Sequence, residues 1–215
     1  MTVIMTVLRT GGEYRPEHVQ RLHRQFGTYH AVCLTDVAVE GIETLQLAHD
    51  WPGWFAKMAL FDPELIQDDI LYFDLDTLLI HSPQPYLTDG CFRMLSDFYY
   101  PTKPASGMMF IPHHEKMRIW SAWIADPQKW MRKYRGDQDV IEAICGRNIA
   151  RFGNPVKSYK VHVAVPGMPG WHARFSQGNG EIPVDTDVLC FHGFPRPWDK
   201  SMDGILPALL QRSIT

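Results

Sequence analysis

Two carboxylates, Asp74 and Asp76, follow directly on an apolar run, Ile70-Leu71-Tyr72-Phe73. If that run is a strand, alternate side chains share a face, and the two aspartates point the same way. Like charges held so close repel unless a cation joins them. A hard divalent ion, Mg²⁺ or Mn²⁺, takes carboxylate oxygens and keeps coordination positions open for a substrate's phosphates. Asp-x-Asp is a short pattern, and most occurrences are turns or solvated pairs. Position gives this one weight, because functional residues in open α/β sheets gather at the carboxyl ends of strands.

The elements that must hold this pair follow from the hydrophobic pattern. Residues 3–8 are a β-branched-rich strand broken by Arg9-Thr10-Gly11-Gly12. Pro16 opens a helix over 16–26, with Val19, Leu22 and Phe26 at helical spacing. Strands are expected over 30–34 and 44–47, then a helix over 54–61 before the central strand at 70–73. Strands over 92–96 and 107–111 precede a helical region over 114–134, interrupted at Pro127. A helix over 137–146 has Asp137 as a natural cap and an apolar face of Val140, Ile141, Ile144 and Cys145. The stretch 151–180 is loop-rich with one strand near 161–165; a last strand at 188–191 and a closing helix at 204–212 complete the chain. Strands and helices alternate over the first half, which predicts an α/β sheet with helices on its faces. No repeat, low-complexity tract or linker divides residues 1–215, so they read as a single domain.

At 215 residues the chain can bury a sizeable core. A net charge of −3 gives no electrostatic reason to expect nucleic acid as the main partner. No apolar run approaches the roughly 18 residues of a transmembrane segment. The apolar start lacks a basic leader and a cleavage site, so it reads as a first strand. Cys33, Cys91, Cys145 and Cys190 form no Cys-x-x-Cys; reduced thiols and a cytoplasmic location are the expectation.

Six motifs in order resemble nucleotide-sugar glycosyltransferases of the GT-A fold, most closely the glycogenin-like and bacterial galactosyltransferase-like group (family 8). Leu8-Arg9-Thr10-Gly11-Gly12-Glu13-Tyr14 is similar to that group's first strand and nucleoside loop. Trp54-Phe55-Ala56-Lys57-Met58 resembles its helix with a basic residue, and Tyr72-Phe73-Asp74-Leu75-Asp76-Thr77 its metal motif. Ala105-Ser106-Gly107-Met108-Met109-Phe110 resembles an Asn-Ser-Gly-hydrophobic segment, and Gly136-Asp137-Gln138-Asp139 an Asp-Gln helix start. Phe191-His192-Gly193-Phe194-Pro195-Arg196-Pro197-Trp198 resembles the C-terminal Gly-x-x-Lys-Pro-Trp motif. Together they run from residue 8 to 198, nearly the whole chain.

The resemblance implies a GT-A-type α/β/α sandwich: a central mixed, mostly parallel sheet with a Rossmann-like nucleotide-binding half. It implies an enzyme that moves a sugar from a nucleoside-diphosphate sugar, with uridine the expected nucleoside, to an unknown acceptor, with retention. That acceptor is a glycan, a lipid-linked sugar or a protein. Asp74 and Asp76 would hold Mn²⁺ or Mg²⁺ as a Lewis acid on the leaving diphosphate. Leu8, Thr10 and Tyr14 would contact the nucleoside, Tyr14 by stacking and Thr10 by hydrogen bonding. Lys57 and Arg196 would add positive charge at the diphosphate, Arg196 with a planar fork. Ser106, Gly107 and Gly193 belong to the expected donor site, and Gly11, Gly12 and Gly193 let backbone approach a ligand. Asp137 and Gln138 would hold sugar hydroxyls and are the expected catalytic residues.

This chain departs from the group in three positions. Cys190 stands where the group has a metal-binding His; His192 shares its face if 188–192 is extended. Imidazole suits Mn²⁺ better than thiolate, so His192 is the expected third metal ligand. Ala105 replaces the Asn and removes a polar contact, and Arg196 replaces Lys. Met108 and Met109 read as strand core, and His113-His114 as surface. Trp51, Trp54, Trp120, Trp123 and Trp130 read mostly as packing, with one or two lining an acceptor cleft. Phe73-Asp74-Leu75-Asp76 also resembles the first motif of haloacid-dehalogenase-like phosphatases, but Leu78 stands where that motif needs Thr. A non-catalytic sugar-nucleotide-binding protein is the other alternative, favoured by Cys190 and Ala105 and opposed by the retained aspartates.

Overall fold

The structure, a computed structural model, describes residues 1–87 and 90–213. Its strands are β1 (Thr2–Leu8), β2 (Ala31–Thr35), β3 (Glu43–Gln46), β4 (Asp69–Phe73), β5 (Thr77–Leu79), β6 (Arg93–Ser96), β7 (Pro104–Ile111), β8 (Ala150–Arg151), β9 (Val156–Ser158) and β10 (Val188–Cys190). Its α-helices are α1 (Pro16–His23), α2 (His113–Ile124), α3 (Pro127–Lys133), α4 (Asp137–Cys145) and α5 (Ile205–Ser213).

Seven strands form one sheet in the order β3-β2-β1-β4-β7-β6-β8. β1 pairs in parallel with β2 and β4, and β2 with β3. β7 runs antiparallel to β4 and β6, and β8 parallel to β6. The sheet is therefore mixed and largely parallel, as expected. The chain moves outward from β1 through β2 to β3, then returns to lay β4 on the other side of β1. That reversal opens a crevice beyond the carboxyl ends of β1 and β4, where α/β sheets bind ligands.

Alternation along the strands feeds two cores. Val3, Met5, Ile70, Tyr72, Met109 and Ile111 face a layer built from α2, α4 and residues 53–61. Ile4, Leu8, Leu71, Phe73, Met108 and Phe110 face α1 together with Val156 and Val188. Helices on both faces make the α/β/α sandwich. A smaller sheet, β5-β10-β9, carries a third cluster of Leu78, Tyr159, Leu189 and Phe191, closed by Leu209 of α5. No helix among the described residues is long and apolar enough to cross a membrane, and no disulfide joins the cysteines among those residues.

Three local expectations are corrected. Residues 53–61 form 3₁₀ turns (Gly53–Phe61) rather than an α-helix. Every side chain from Phe55 to Phe61 is buried, so no amphipathic period constrains the segment to 3.6 residues per turn. The strand expected at 161–165 is a π-helical turn, Tyr159–Val163, entered from β9. Ser158 caps this turn by accepting from Val161 N–H, and Gly178 packs so tightly on Val163 that a Cβ there would meet its carbonyl at 2.4 Å. Tertiary contacts thus override the β-propensity of the valines. Finally, Gly136 rather than Asp137 occupies the cap position of α4. Asp137 is the first helical residue and is buried.

Candidate functional site

The crevice beyond β1 and β4 contains two adjoining cavities. The first, about 390 Å³, is walled by the loop after β1 (Arg9 to Tyr14), by Pro52, Gly53 and Trp54, and by Asp74. The second, about 520 Å³, is walled by Asp74 and Asp76, by Phe98 to Tyr100, by Ser106 and Gly107, by Asp137 and Gln138, and by His192, Gly193 and Arg196. Tyr14, Trp54, Lys57 and Asp74 line both, so they form the saddle between two lobes.

β4 ends at Phe73, and Asp74 and Asp76 come directly after it, as the sequence pattern implied. Each carboxylate has a cation against it. The Lys57 ammonium lies 3.0 Å from Asp74 and 3.3 Å from Asp137, and donates to Ser106 Oγ at 3.1 Å. Tyr72 donates its phenol to Asp74 at 2.5 Å. Burial works against the Lys57 charge, but Asp137 and then Asp74 outweigh it and hold the ammonium above its usual pKa. Asp137 is raised by its burial, which the pull of Lys57 opposes. Gly107 accepts from Asp74 N–H at 2.8 Å, and a Cβ on it would meet the Asp74 carboxylate at 3.5 Å.

Asp76 is 4% exposed and ion-pairs with Arg196, whose guanidinium also reaches Glu13. Burial raises the Asp76 carboxyl, Asp74 raises it further, and Arg196 opposes both. Arg196 lies over the Tyr14 ring, 5.2 Å from its centre, and Tyr14 meets Trp198 edge-on, which in turn stacks on His18 of α1 at 3.7 Å between ring centres. The loop carrying the sequence-predicted cation is thus pinned to the first helix. Gly193 turns that loop with φ of 72°, a value side chains rarely adopt.

The remaining sequence candidates divide. Tyr14, Ser106, Gly107, Gln138 and Gly193 line the cleft. Thr10 also lines the first lobe, but its hydroxyl donates to Asp36 at 2.6 Å, and Arg9 pairs with the same carboxylate. The Leu8 side chain is buried in the core behind β1, and its neighbour Val7 faces the cleft. His192 lies past the end of β10 and lines the second lobe. Its Nε2 bonds Ser158 Oγ at 2.7 Å. Burial lowers its pKa to about 3, helped by Lys160 and Arg196. Cys190 is buried, and its thiol is pushed well up by that burial and by Asp76 and Asp74.

Several cleft residues were not assigned from sequence. Trp54, 54% exposed, stands on the saddle, whereas Trp51 and Trp123 are core. Glu13 and Tyr72 orient the ionic groups, and Ser158 holds His192. Only Trp54 had a local signal, in an exposed aromatic beside Pro52-Gly53; the others depend on partners remote in sequence.

The donor set around Asp74 and Asp76 suits a hard cation in one way. The Asp76 carboxyl is buried and raised by that burial and by Asp74, Asp74 is half-buried beside it, and both border a cavity with room for further oxygen ligands. Magnesium commonly takes one or two carboxylates with substrate phosphates and water completing its sphere. Among the described residues no group of three or more His, Cys, Asp or Glu converges as a protein-only cage.

No protein-family model and no curated protein matches the chain. Solved structures do. An active-site mutant of LgtC superposes with a TM-score of 0.66 at 12% identity, over 99% of this chain and 95% of that one. The chain shares the fold of glycosyltransferases. The glycosyltransferase GlyE of Streptococcus pneumoniae TIGR4 superposes with the same TM-score, 0.66, at 10% identity, over 100% of this chain and 61% of that one. The galactosyltransferase LgtC in complex with donor and acceptor sugar analogues gives 0.55 at 14% identity, over 99% and 94%. In this shared fold the two lobes of the crevice meet at Asp74.

Proposed function

We propose that this protein is a metal-dependent glycosyltransferase using a nucleoside-diphosphate sugar, with uridine as the nucleoside, and that it retains anomeric configuration. The carrying observation is the two-lobed crevice with a carboxylate pair, the buried Lys57 and the half-buried Arg196 around its junction, on a fold common to LgtC and GlyE. In this reading the nucleoside enters the first lobe, where Tyr14 and Trp54 offer aromatic faces. The diphosphate lies at the saddle, and the sugar and acceptor occupy the second lobe.

Asp74 and Asp76 would hold a divalent cation that, when bound, supplies Lewis-acid neutralisation of the departing diphosphate. The chain contributes the rest. The bond from the anomeric carbon to the diphosphate oxygen breaks, and its electron pair leaves with the nucleoside diphosphate. An acceptor hydroxyl forms the new bond to that carbon, and its proton goes to the released phosphate oxygen. Lys57 and Arg196 meet the growing negative charge, and Arg196 can exchange Asp76 and Glu13 for phosphate oxygens by turning its fork. Gln138 offers its amide to sugar hydroxyls. Asp137 shares that wall and keeps Lys57 aimed at the saddle.

The test is product release across a panel of nucleotide sugars with Mn²⁺ and mixed saccharide acceptors. Uridine diphosphate should appear from at least one uridine donor. Asp74→Asn and Asp76→Asn should each lower the rate at least 100-fold while near-ultraviolet circular dichroism stays native. Near-normal turnover in either variant, or turnover of no nucleotide sugar, would remove this reading.

A further inference from the structure

His192, on the wall of the second lobe, is backed by a fully buried serine. Ser158 is 0% exposed, at the junction of β9 and the π-helical turn. Its Oγ accepts the Val161 N–H at 3.2 Å and lies 2.7 Å from His192 Nε2. A hydroxyl has one proton and two lone pairs. Val161 can only donate, so it takes a lone pair. The hydroxyl proton needs an acceptor, since an unmet buried donor is costly, and His192 Nε2 is the acceptor at hand. Nε2 is then unprotonated, its lone pair is used, and the ring proton sits on Nδ1.

The ring is also fixed in direction. Phe98 stacks on it with centres 5.3 Å apart, and Tyr99 meets it edge-on at 5.0 Å. Tyr99 in turn packs on Phe175 at 4.4 Å. Among the described residues Nδ1 has no hydrogen-bond partner, and His192 lines the lobe. The same lobe is lined by Asp137 and Gln138 beside Lys57, the place a donor sugar takes in the reading above.

We infer that His192 is a specificity-determining residue rather than a metal ligand: Ser158 caps its Nε2, and its Nδ1–H is offered to a hydroxyl of the acceptor saccharide. The aromatic ring of Tyr99 supplies the apolar face against which such a sugar packs. The acceptor half of this inference rests on the glycosyltransferase reading; the tautomer and the exclusion from the metal do not.

Long-range ¹H–¹⁵N spectroscopy of the histidine rings in the intact protein should find His192 protonated on Nδ1 alone. Ser158→Ala should release that preference. A ring protonated on Nε2 would overturn the inference, whatever the enzyme's substrate. Calorimetry of uridine diphosphate with Mn²⁺ gives a second reading: His192→Phe, which keeps the stack and loses the donor, should bind within twofold of the native protein. A tenfold or greater loss would make His192 a metal ligand and refute us. If uridine diphosphate binds neither protein, the functional reading falls while the spectrum still decides the tautomer. In the transfer assay His192→Phe should raise the acceptor KM at least fivefold with donor KM unchanged, and His192→Gln should restore part of it. A rise in donor KM instead would contradict the assignment.

Discussion

Lys57 and Lys116 are both buried, 6% and 0% exposed, yet they meet opposite surroundings. Lys57 faces Asp74 and Asp137, the end of the central strand and the start of α4. Lys116, on α2, donates to the backbone carbonyls of Ile66 and Asp68, each at 2.7 Å. Burial disfavours the charge on both. Carboxylates outweigh it at Lys57 and raise its pKa, whereas at Lys116 burial wins and the pKa falls to about 8, with Asp69, Asp68 and Asp62 only partly offsetting. A buried ammonium is therefore not in itself the mark of a site. Lys57 borders a cleft among groups that a ligand can re-pair; Lys116 clamps α2 to the segment leading into β4, with its bonds satisfied internally.

The largest test of this contrast is Lys57→Met. It leaves the buried Asp137 and the half-buried Asp74 without their cation, which costs about 3–5 kcal/mol, and it removes positive charge from the saddle. Urea unfolding should register the loss, and nucleotide binding should fall with it. Native-like stability would mean that the carboxylates do not need Lys57.

Lys116→Met should be milder. Two carbonyls lose their donor, at about 1–3 kcal/mol, while a charge is no longer held in the interior. Nucleotide affinity should stay within twofold, because Lys116 lines neither lobe. A clear drop in affinity would break the comparison.

A third effect is in pH. Lys116 titrates near 8 in the fold and at about 10.4 in the unfolded chain. Between those values the unfolded chain binds more protons, so this group makes stability rise with pH. Lys57 has the opposite sign: its stabilisation is full below the unfolded value and is lost as pH climbs through its raised folded one. Unfolding free energies of native protein and Lys116→Met should therefore diverge between pH 8 and 10, with the native protein gaining. Parallel curves would assign Lys116 an ordinary pKa.

Much of the frame was legible because strands write their burial in alternation. Val3, Met5 and Ile4, Leu8 divide between two cores as the period of two requires. Asp74 and Asp76 were legible for the same reason, being the first polar residues after a buried run. The ionic wiring was not. Arg196 meets Asp76 across 120 residues and Glu13 across 183, and Ser158 meets His192 across 34. Nothing local marks such pairings. Asp137 is instructive because its helix-start position was legible while the cap role expected of it was wrong: Gly136 serves as cap, and the carboxylate turns to Lys57. The π-helical turn at Tyr159–Val163 escaped because valine-rich sequence favours a strand until Ser158 and Gly178 constrain it.

The account turns on whether the carboxylate pair binds a nucleoside diphosphate together with a divalent cation. Calorimetric titration of uridine diphosphate in Mn²⁺ and again in excess chelator measures that coupling in one experiment. Saturable binding in Mn²⁺ that weakens at least tenfold in chelator, and that Asp74→Asn abolishes, is the predicted result. Equal affinity in both buffers, or no binding in either, would contradict it.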